Sequence, residues 1–260
     1  MAAAGADTVD AVARALWRSA VYRFFSQALL PPDRWREPPV PPGPRPAGTA
    51  AGGEDAGAPA STTDGPATAV AAAARTLTAA DPPALAAAYV ETFGHLVGPR
   101  CPLYEAQYIP GGIFAQAQCA SDIAGFYRAF GLEVADHAQE RPDHISVELE
   151  FMHVLAYREA YARTHHGCAQ VAQLVDAQRQ FLQDHLGRWV PALARVTQTE
   201  APGLYAQVLD ALTAWITADA AAQGATVEPE AALAPRADLP GLEDDRAGCG
   251  PARCPLGVVP

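Results

Sequence analysis

The stretch from Asp143 to about Arg163 constrains this chain more than any other, because it places apolar residues on two sides of one helix. Ile145, Leu149, Met152 and Ala156 recur at helical spacing as one stripe, and Val147, Phe151 and Val154 form a second. A helix on a protein surface needs one apolar face, whereas a helix with two has to lie between other elements. The chain therefore predicts a fold arranged around this central helix.

The flanking segments are suited to cover it, because they are helical too. Thr8 to Leu30 carries Val12, Leu16, Val21, Phe24, Phe25 and Leu29 on a broad face and is stopped by Pro31 and Pro32. Asp81 followed by Pro82 reads as a cap and a first-turn proline, opening a helix that runs to about Phe93. Gly94 to Pro110 is punctuated by glycine and proline and predicts a loop. Ile113 to Phe130 is the next helix, with Gly131 as its stop. After the polar link Glu140 to His144 and the central helix, Gly167 precedes a helix over Ala169 to Val190, and Pro202 to Ala222 forms the last. No alternating strand pattern appears, so the expected class is an all-α helical bundle with a hinge before the long central helix.

Two stretches lack the large apolar residues needed to offset ordering entropy. Pro38 to Pro66 predicts a disordered insert, and the chain beyond Gln223 predicts a disordered tail. The expected organisation is an N-terminal helical part over 1–139 that holds the insert at 38–66, a C-terminal helical part over 140–222, and a tail over 223–260.

The formal charge of -11 argues against a nucleic-acid partner, whose binding begins with neutralising phosphates, and favours an arginine-bearing one. No window approaches the length and apolarity of a membrane span, so no membrane insertion is expected. Met1 to Asp10 has neither a basic region nor a long apolar run, which points to the cytoplasm. The five cysteines are odd in number and irregular in spacing, unlike a disulfide framework.

Chemistry-bearing constellations are sparse. Glu150 and His153 form a Glu-x-x-His pair of the kind used in di-iron bundles, which makes a helical metal-dependent oxidoreductase the alternative reading. A complete site of that kind requires a second such pair, and the sequence has none; Glu91 and His95 are four apart. His144 and Glu148 share a face of the first turn of the central helix but supply two metal ligands at most. Cys249 and Cys254 are too far apart for a C-x-x-C motif. Nucleotide loops and nucleophile elbows are missing, and the Gly-rich pieces at Gly52 and Gly111 lack their context. Neither a catalytic residue nor a cofactor or metal site is expected.

Four runs carry a resemblance. They are Tyr89-Val-Glu-Thr-Phe-Gly, Cys101-Pro-Leu-Tyr-Glu-Ala-Gln-Tyr, Asp122-Ile-Ala-Gly-Phe-Tyr-Arg-Ala-Phe-Gly, and Glu140-Arg-Pro-Asp-His-Ile-Ser-Val-Glu-Leu-Glu-Phe-Met. In these the chain resembles the TorD/DmsD/NarJ family of chaperones for molybdenum enzymes, most closely the delta-subunit chaperones of dimethyl-sulfide, ethylbenzene, selenate and chlorate oxidoreductases. The resemblance implies a non-enzymatic, cytoplasmic, all-helical protein, monomer or homodimer. It would bind the twin-arginine signal or N-terminal region of a molybdopterin oxidoreductase catalytic subunit, assisting cofactor insertion and preventing premature export.

A receptor for such a segment needs carboxylates, which accept guanidinium bidentately, beside an apolar groove that takes one helical face. Glu105, Asp122, Asp143 and Glu148 are the acidic candidates in or beside the matching runs, and Tyr89, Phe93, Tyr104, Tyr108 and Phe151 the aromatic ones. Arg141 and His144 complete the set, in the link where a hinge is expected. Each aromatic is equally suited to core packing, and Asp143 is also placed to cap the central helix.

Overall fold

The computed structural model describes residues 2–35, 39–40, 42–43, 46, 65–94, 100–110, 112–135 and 140–227. Its helices are α1 (Ala2–Ala28), α2 (Gly65–Ala79), α3 (Pro82–Phe93), α4 (Ile113–Ala129), α5 (Ile145–His165), α6 (Cys168–Phe181), α7 (Gly187–Glu200) and α8 (Leu204–Ala222). Among the described residues there is no strand, and the one β-type feature is an isolated bridge between Tyr104 and His144. The all-α class is as the periodicity predicts.

The central helix is α5. Along one flank it packs against α1, and α6 returns against it. Ile145, Leu149, Met152 and Ala156 are fully buried, as a stripe facing the core requires. The second stripe behaves differently. Phe151 is buried against Phe181, with ring centroids 4.9 Å apart, but Val147 and Val154 are only partly covered and line an open groove.

Other elements depart from expectation for identifiable reasons. α2 is absent from the sequence reading because its packing face is made mainly of alanine: Val70, Ala73, Ala74 and Leu77 are buried at i, i+3, i+4 and i+7, a spacing that a uniformly Ala-rich stretch conceals. The helix expected to end at Val190 instead passes from α6 through a π-helical turn at Leu182–Leu186 into α7, which contains Pro191. A Cβ added at Gly187, where that turn closes, would lie 2.4 Å from the Leu182 carbonyl oxygen and 2.7 Å from the Val227 side chain. Only glycine fits there.

Val227 itself corrects the expected start of the tail. After α8 the chain turns at Gly224, whose φ of 69° is left-handed, and Ala225 donates to the Ala220 carbonyl at 2.9 Å. Val227 then packs against the core. The insert is corrected in part as well: the Trp17 indole donates to the Gly43 carbonyl at 2.9 Å, and Pro39 is buried. Gly65 and Pro66 already belong to α2, while residues 38, 41, 44–45, 47–64 and 228–260, with Gly52, Cys249 and Cys254, lie outside the described residues, as do Gly111 and His95.

A further correction concerns the start of α5. Its cap is His144, not Asp143: the His144 ring Nδ1 accepts from the Ser146 amide at 3.2 Å. Asp143 is one residue too early to reach that amide, and its carboxylate is held by Arg141 and the Ala106 amide.

One buried ionic network ties four helices together. Arg18 of α1 donates bidentately to Asp219 of α8 at 2.6 and 2.9 Å, to Glu159 of α5 at 3.0 Å and to Gln178 of α6 at 2.8 Å. Tyr22 adds a 2.6 Å bond to Asp219, and Arg163 forks onto the other oxygen of Glu159. Removing the cation leaves two buried carboxylates with too little positive charge. Arg18→Met is expected to lose about 3–5 kcal/mol of stability in urea unfolding, the cost typical of breaking a buried pair from one side; a loss no larger than that of an exposed arginine would contradict the role given to the network.

Candidate functional site

The sequence runs that carry the resemblance are far apart in the chain, and the fold brings two of them into register. Glu105 donates its amide to the Asp143 carbonyl at 2.9 Å, and Ile145 donates to the Leu103 carbonyl at 2.9 Å, so residues 103–105 and 143–145 pair as a short antiparallel ladder. The Asp143 carboxylate strengthens the pairing by accepting from the Ala106 amide at 3.3 Å. Tyr127 of α4 donates to the Pro142 carbonyl at 2.8 Å and holds the link from the other side.

The outer layer of this junction is an arginine-rich, partly exposed surface. Arg141 forks onto Asp143 at 2.9 and 2.5 Å while its guanidinium lies 4.8 Å from the centre of the Tyr104 ring. Tyr104 donates to Glu140 at 2.8 Å, and Arg34 pairs with the other oxygen of Glu140. Asp143 and Glu140 are therefore already neutralised by arginines of this chain. Asp122 lies apart from the junction on the exposed side of α4, where it accepts from Gln118 at 2.7 Å.

His144 is buried beneath this layer. Its Nδ1 faces the Ser146 hydroxyl at 2.7 Å and caps α5 through the Ser146 amide, so a proton on that nitrogen would break the cap. Burial lowers its pKa from 6.5 to about 4, against the opposing pull of Glu140 and Asp143.

Deeper still is a cluster of acid groups. Glu105 and Glu148 are both buried. Glu105 meets His185 Nδ1 at 3.1 Å, and the Trp189 indole donates to Glu148 Oε2 at 3.1 Å. Glu148 Oε1 has no hydrogen-bond partner among the described residues. Burial first, and then the neighbouring Glu105 carboxylate, push the Glu148 pKa well above the ordinary carboxyl range. Carried as the neutral acid, Glu148 is spared the repulsion of the Glu105 carboxylate. Cys119 of α4 borders the same cluster, and its thiol is likewise pushed up by burial and by these acids.

The aromatic candidates other than Tyr104 are core residues in this conformation. Tyr89 and Phe93 form a triangle with Tyr205 of α8, with centroids 5.0 to 5.4 Å apart. Tyr108 packs 5.4 Å from Trp189, and Phe151 lies 4.8 Å from Tyr127. Of the sequence candidates, Tyr104, Arg141 and Asp122 reach solvent, whereas Tyr89, Phe93, Glu105, Tyr108, Asp143, His144, Glu148 and Phe151 are buried. The sequence reading missed His185 and Trp189, which the π-helical turn and the start of α7 bring to the acid cluster. Helical periodicity carries no signal for a partner 80 residues away.

The Glu150/His153 alternative does not assemble. The His153 Nδ1 lies 2.7 Å from the Ser19 hydroxyl and 3.0 Å from the Ser19 carbonyl, which commits it to α1, while Glu150 is exposed at a groove rim. Among the described residues no three His, Cys, Asp or Glu side chains are grouped to hold a metal ion.

That groove, with a volume of about 300 Å³, runs between α5 and residues 132–135. Its walls are Tyr127, Leu132, Val134, Val147, Phe151 and Val154, with Glu133 and Glu150 at the rim. Among the described helices, none is long and apolar enough to cross a membrane.

A family model described as nitrate reductase delta subunit matches residues 60–195. The chain is 33% identical over 118 residues to a perchlorate reductase assembly chaperone protein of Dechloromonas aromatica, covering 43% of this chain and 49% of that protein. It is 31% identical over 117 residues to the chaperone protein TorD of Vibrio cholerae serotype O1, covering 45% of this chain and 51% of that one. The chain thus spans about half the length of the curated relatives it matches. No solved structure matches it significantly.

Two pH dependences follow from the buried groups. The folded pKa of His144 lies below its unfolded value, so its contribution is complete above pH 6.5 and is lost as pH falls towards 4. Between pH 7 and pH 4 the native chain is expected to lose roughly 3 kcal/mol more than His144→Asn, a neutral cap, in urea unfolding. Parallel curves would contradict a neutral buried imidazole. Glu148 has the opposite sign: its folded pKa is raised, so its contribution is complete below the unfolded value and falls as pH rises. Glu148→Gln, which keeps an oxygen for the Trp189 indole, is expected to be less sensitive to raising the pH from 5 to 9 than the native chain.

Proposed function

We propose, because this chain belongs to the nitrate reductase delta subunit family, that it is a non-enzymatic assembly chaperone for the catalytic subunit of a molybdopterin oxidoreductase. It binds the N-terminal region of that subunit, including a twin-arginine signal, in the cytoplasm. It holds the subunit there while cofactor is inserted and releases it for export. The names of the curated relatives, one an assembly chaperone of perchlorate reductase and the others TorD chaperones, support this reading.

The observation that carries it is the junction of residues 103–105 with 143–145. The most distinctive residues of the chain, from Cys101 to Tyr108 and from Glu140 to Glu148, are spent on shaping one small surface rather than on assembling a reactive centre. In this reading Tyr104, Arg141 and the more distant Asp122 touch the partner. Glu105, Tyr108, Asp143, His144 and Glu148 hold the link in shape beneath them, and Tyr89, Phe93 and Phe151 hold the helices on which it rests. The link 140–144, expected from the sequence as a hinge, is pinned by Tyr127 and the Asp143 carboxylate, and Arg18 ties α1 to α5, α6 and α8 across it, so in this reading it presents a fixed surface.

The probe is the N-terminal segment of a molybdopterin oxidoreductase catalytic subunit, with its twin-arginine signal, titrated by calorimetry into the purified protein. Binding by the native chain is expected, together with roughly tenfold weaker binding by the Tyr104→Ala, Arg141→Ala double variant, which removes an aromatic and an arginine of the kind that dominate interfaces. Failure of the native chain to bind would sink the reading. Retention of this chain in the mature exported enzyme would instead favour a structural subunit.

A further inference from the structure

The junction described above leaves open where a partner's arginines and apolar side chains would go. Its own carboxylates are either paired with Arg34 and Arg141 or buried. The unused complement lies on α5. Val147, Glu150, Val154, Tyr157 and Tyr161 follow one another at i, i+3, i+7, i+10 and i+14, which puts them on one face of that helix. α1 packs on another side of α5, and among the described residues no helix packs over this face. Tyr157 is 55% exposed and Tyr161 is 51% exposed, a large aromatic area for a helix whose other faces are in the core.

We propose that this face, from the groove at Val147 to Tyr161, is the docking surface for an amphipathic, arginine-bearing helical segment of the partner. It rests on the chaperone reading and adds to it the surface used and the chemistry recognised. The face runs for about 21 Å, close to four turns, which suits a helix lying alongside α5. The groove between α5 and residues 132–135 holds about 300 Å³, at the lower end of ligand-pocket volumes, and is open along its length. It suits a few aliphatic side chains projecting from one helical face.

Charge selects the occupant. Glu133 and Glu150 stand at the groove rim and have no ion-pair partner among the described residues. A second copy of this chain, with a net charge of -11, would be repelled. Residues 228–260 of the same chain carry Glu228, Glu230, Asp238, Glu243, Asp244 and Asp245 against Arg236, Arg246 and Arg253, so they too bring net negative charge. A cationic helix satisfies both features: aliphatic residues enter the groove, and guanidinium groups reach the two rim carboxylates. Tyr157 and Tyr161 then offer rigid contact area to the remainder of the segment.

The test uses the full chain and a synthetic 20-residue peptide with an Arg-Arg pair followed by a Leu- and Ala-rich stretch, titrated by calorimetry at several salt concentrations. The native chain is expected to bind it, and a control peptide with Gln-Gln in place of the pair is expected to bind more weakly. Tyr157→Ser with Tyr161→Ser alters only exposed side chains and is expected to weaken binding about tenfold with an unchanged Tm. Glu133→Gln with Glu150→Gln is expected to weaken binding and to flatten its salt dependence. If the native chain binds and both double variants match it, the α5 face is overturned while the chaperone reading stands. If the peptide does not bind at all, the α5 proposal is likewise overturned, and the chaperone reading is judged separately by the natural segment of its client.

Discussion

The guanidinium of Arg18 is the point on which the helices depend. It is largely covered at the crossing of α1, α5, α6 and α8, and its bonds run to the buried Asp219, Glu159 and Gln178. Burying ions is costly unless every hydrogen-bonding group finds a partner in good geometry, and here that geometry exists in one arrangement of the helices only. A slip of α1 along α5 by one turn would strand two carboxylates. Apolar contacts alone are more forgiving, since Leu and Val faces can slide and repack. The network thus fixes the relative setting of helices that the hydrophobic stripes only bring together.

With α5 held in that way, its N-terminus becomes a fixed platform for the loop–link junction. His144 caps the helix in neutral form, Asp143 grips the Ala106 amide, and Glu148 lies one turn further in beside Glu105 and Trp189. The polar residues most easily taken for ligands are thereby committed to shape. The exposed groups near them are of another kind: an arginine over a tyrosine, two rim carboxylates without an ion pair among the described residues, and two exposed tyrosines on α5. This division is physically sensible, because buried acids hold a loop rigidly, whereas a surface that must bind and release a partner needs solvated charge and accessible apolar area.

The sequence made some of this legible and hid the rest. The core stripe of α5 was readable, since Ile145, Leu149, Met152 and Ala156 repeat at a period that only a helix satisfies. The start of α3 at Asp81-Pro82 was readable for the same kind of local reason. α2 was not, because alanine contributes little contrast between its two faces. The cap of α5 was misassigned because Asp is the commoner cap, and only the path of the link shows that Asp143 faces the Ala106 amide while His144 reaches Ser146. The runs that carry the family resemblance gave no sign of which side chains are buried within them.

What local chemistry fixes is therefore a set of helices, one of them central, and a net negative charge of -11. These follow from periodicity, composition and charge, each a property of neighbouring residues in the chain. The tertiary structure alone decided which acids are sealed in and which are free, for burial depends on contacts between distant segments: Glu148 is covered by Trp189, Glu105 by His185, and Asp219 by Arg18. Glu150, two residues beyond Glu148, stays in solvent because 200° of helical rotation carries it to another side of α5.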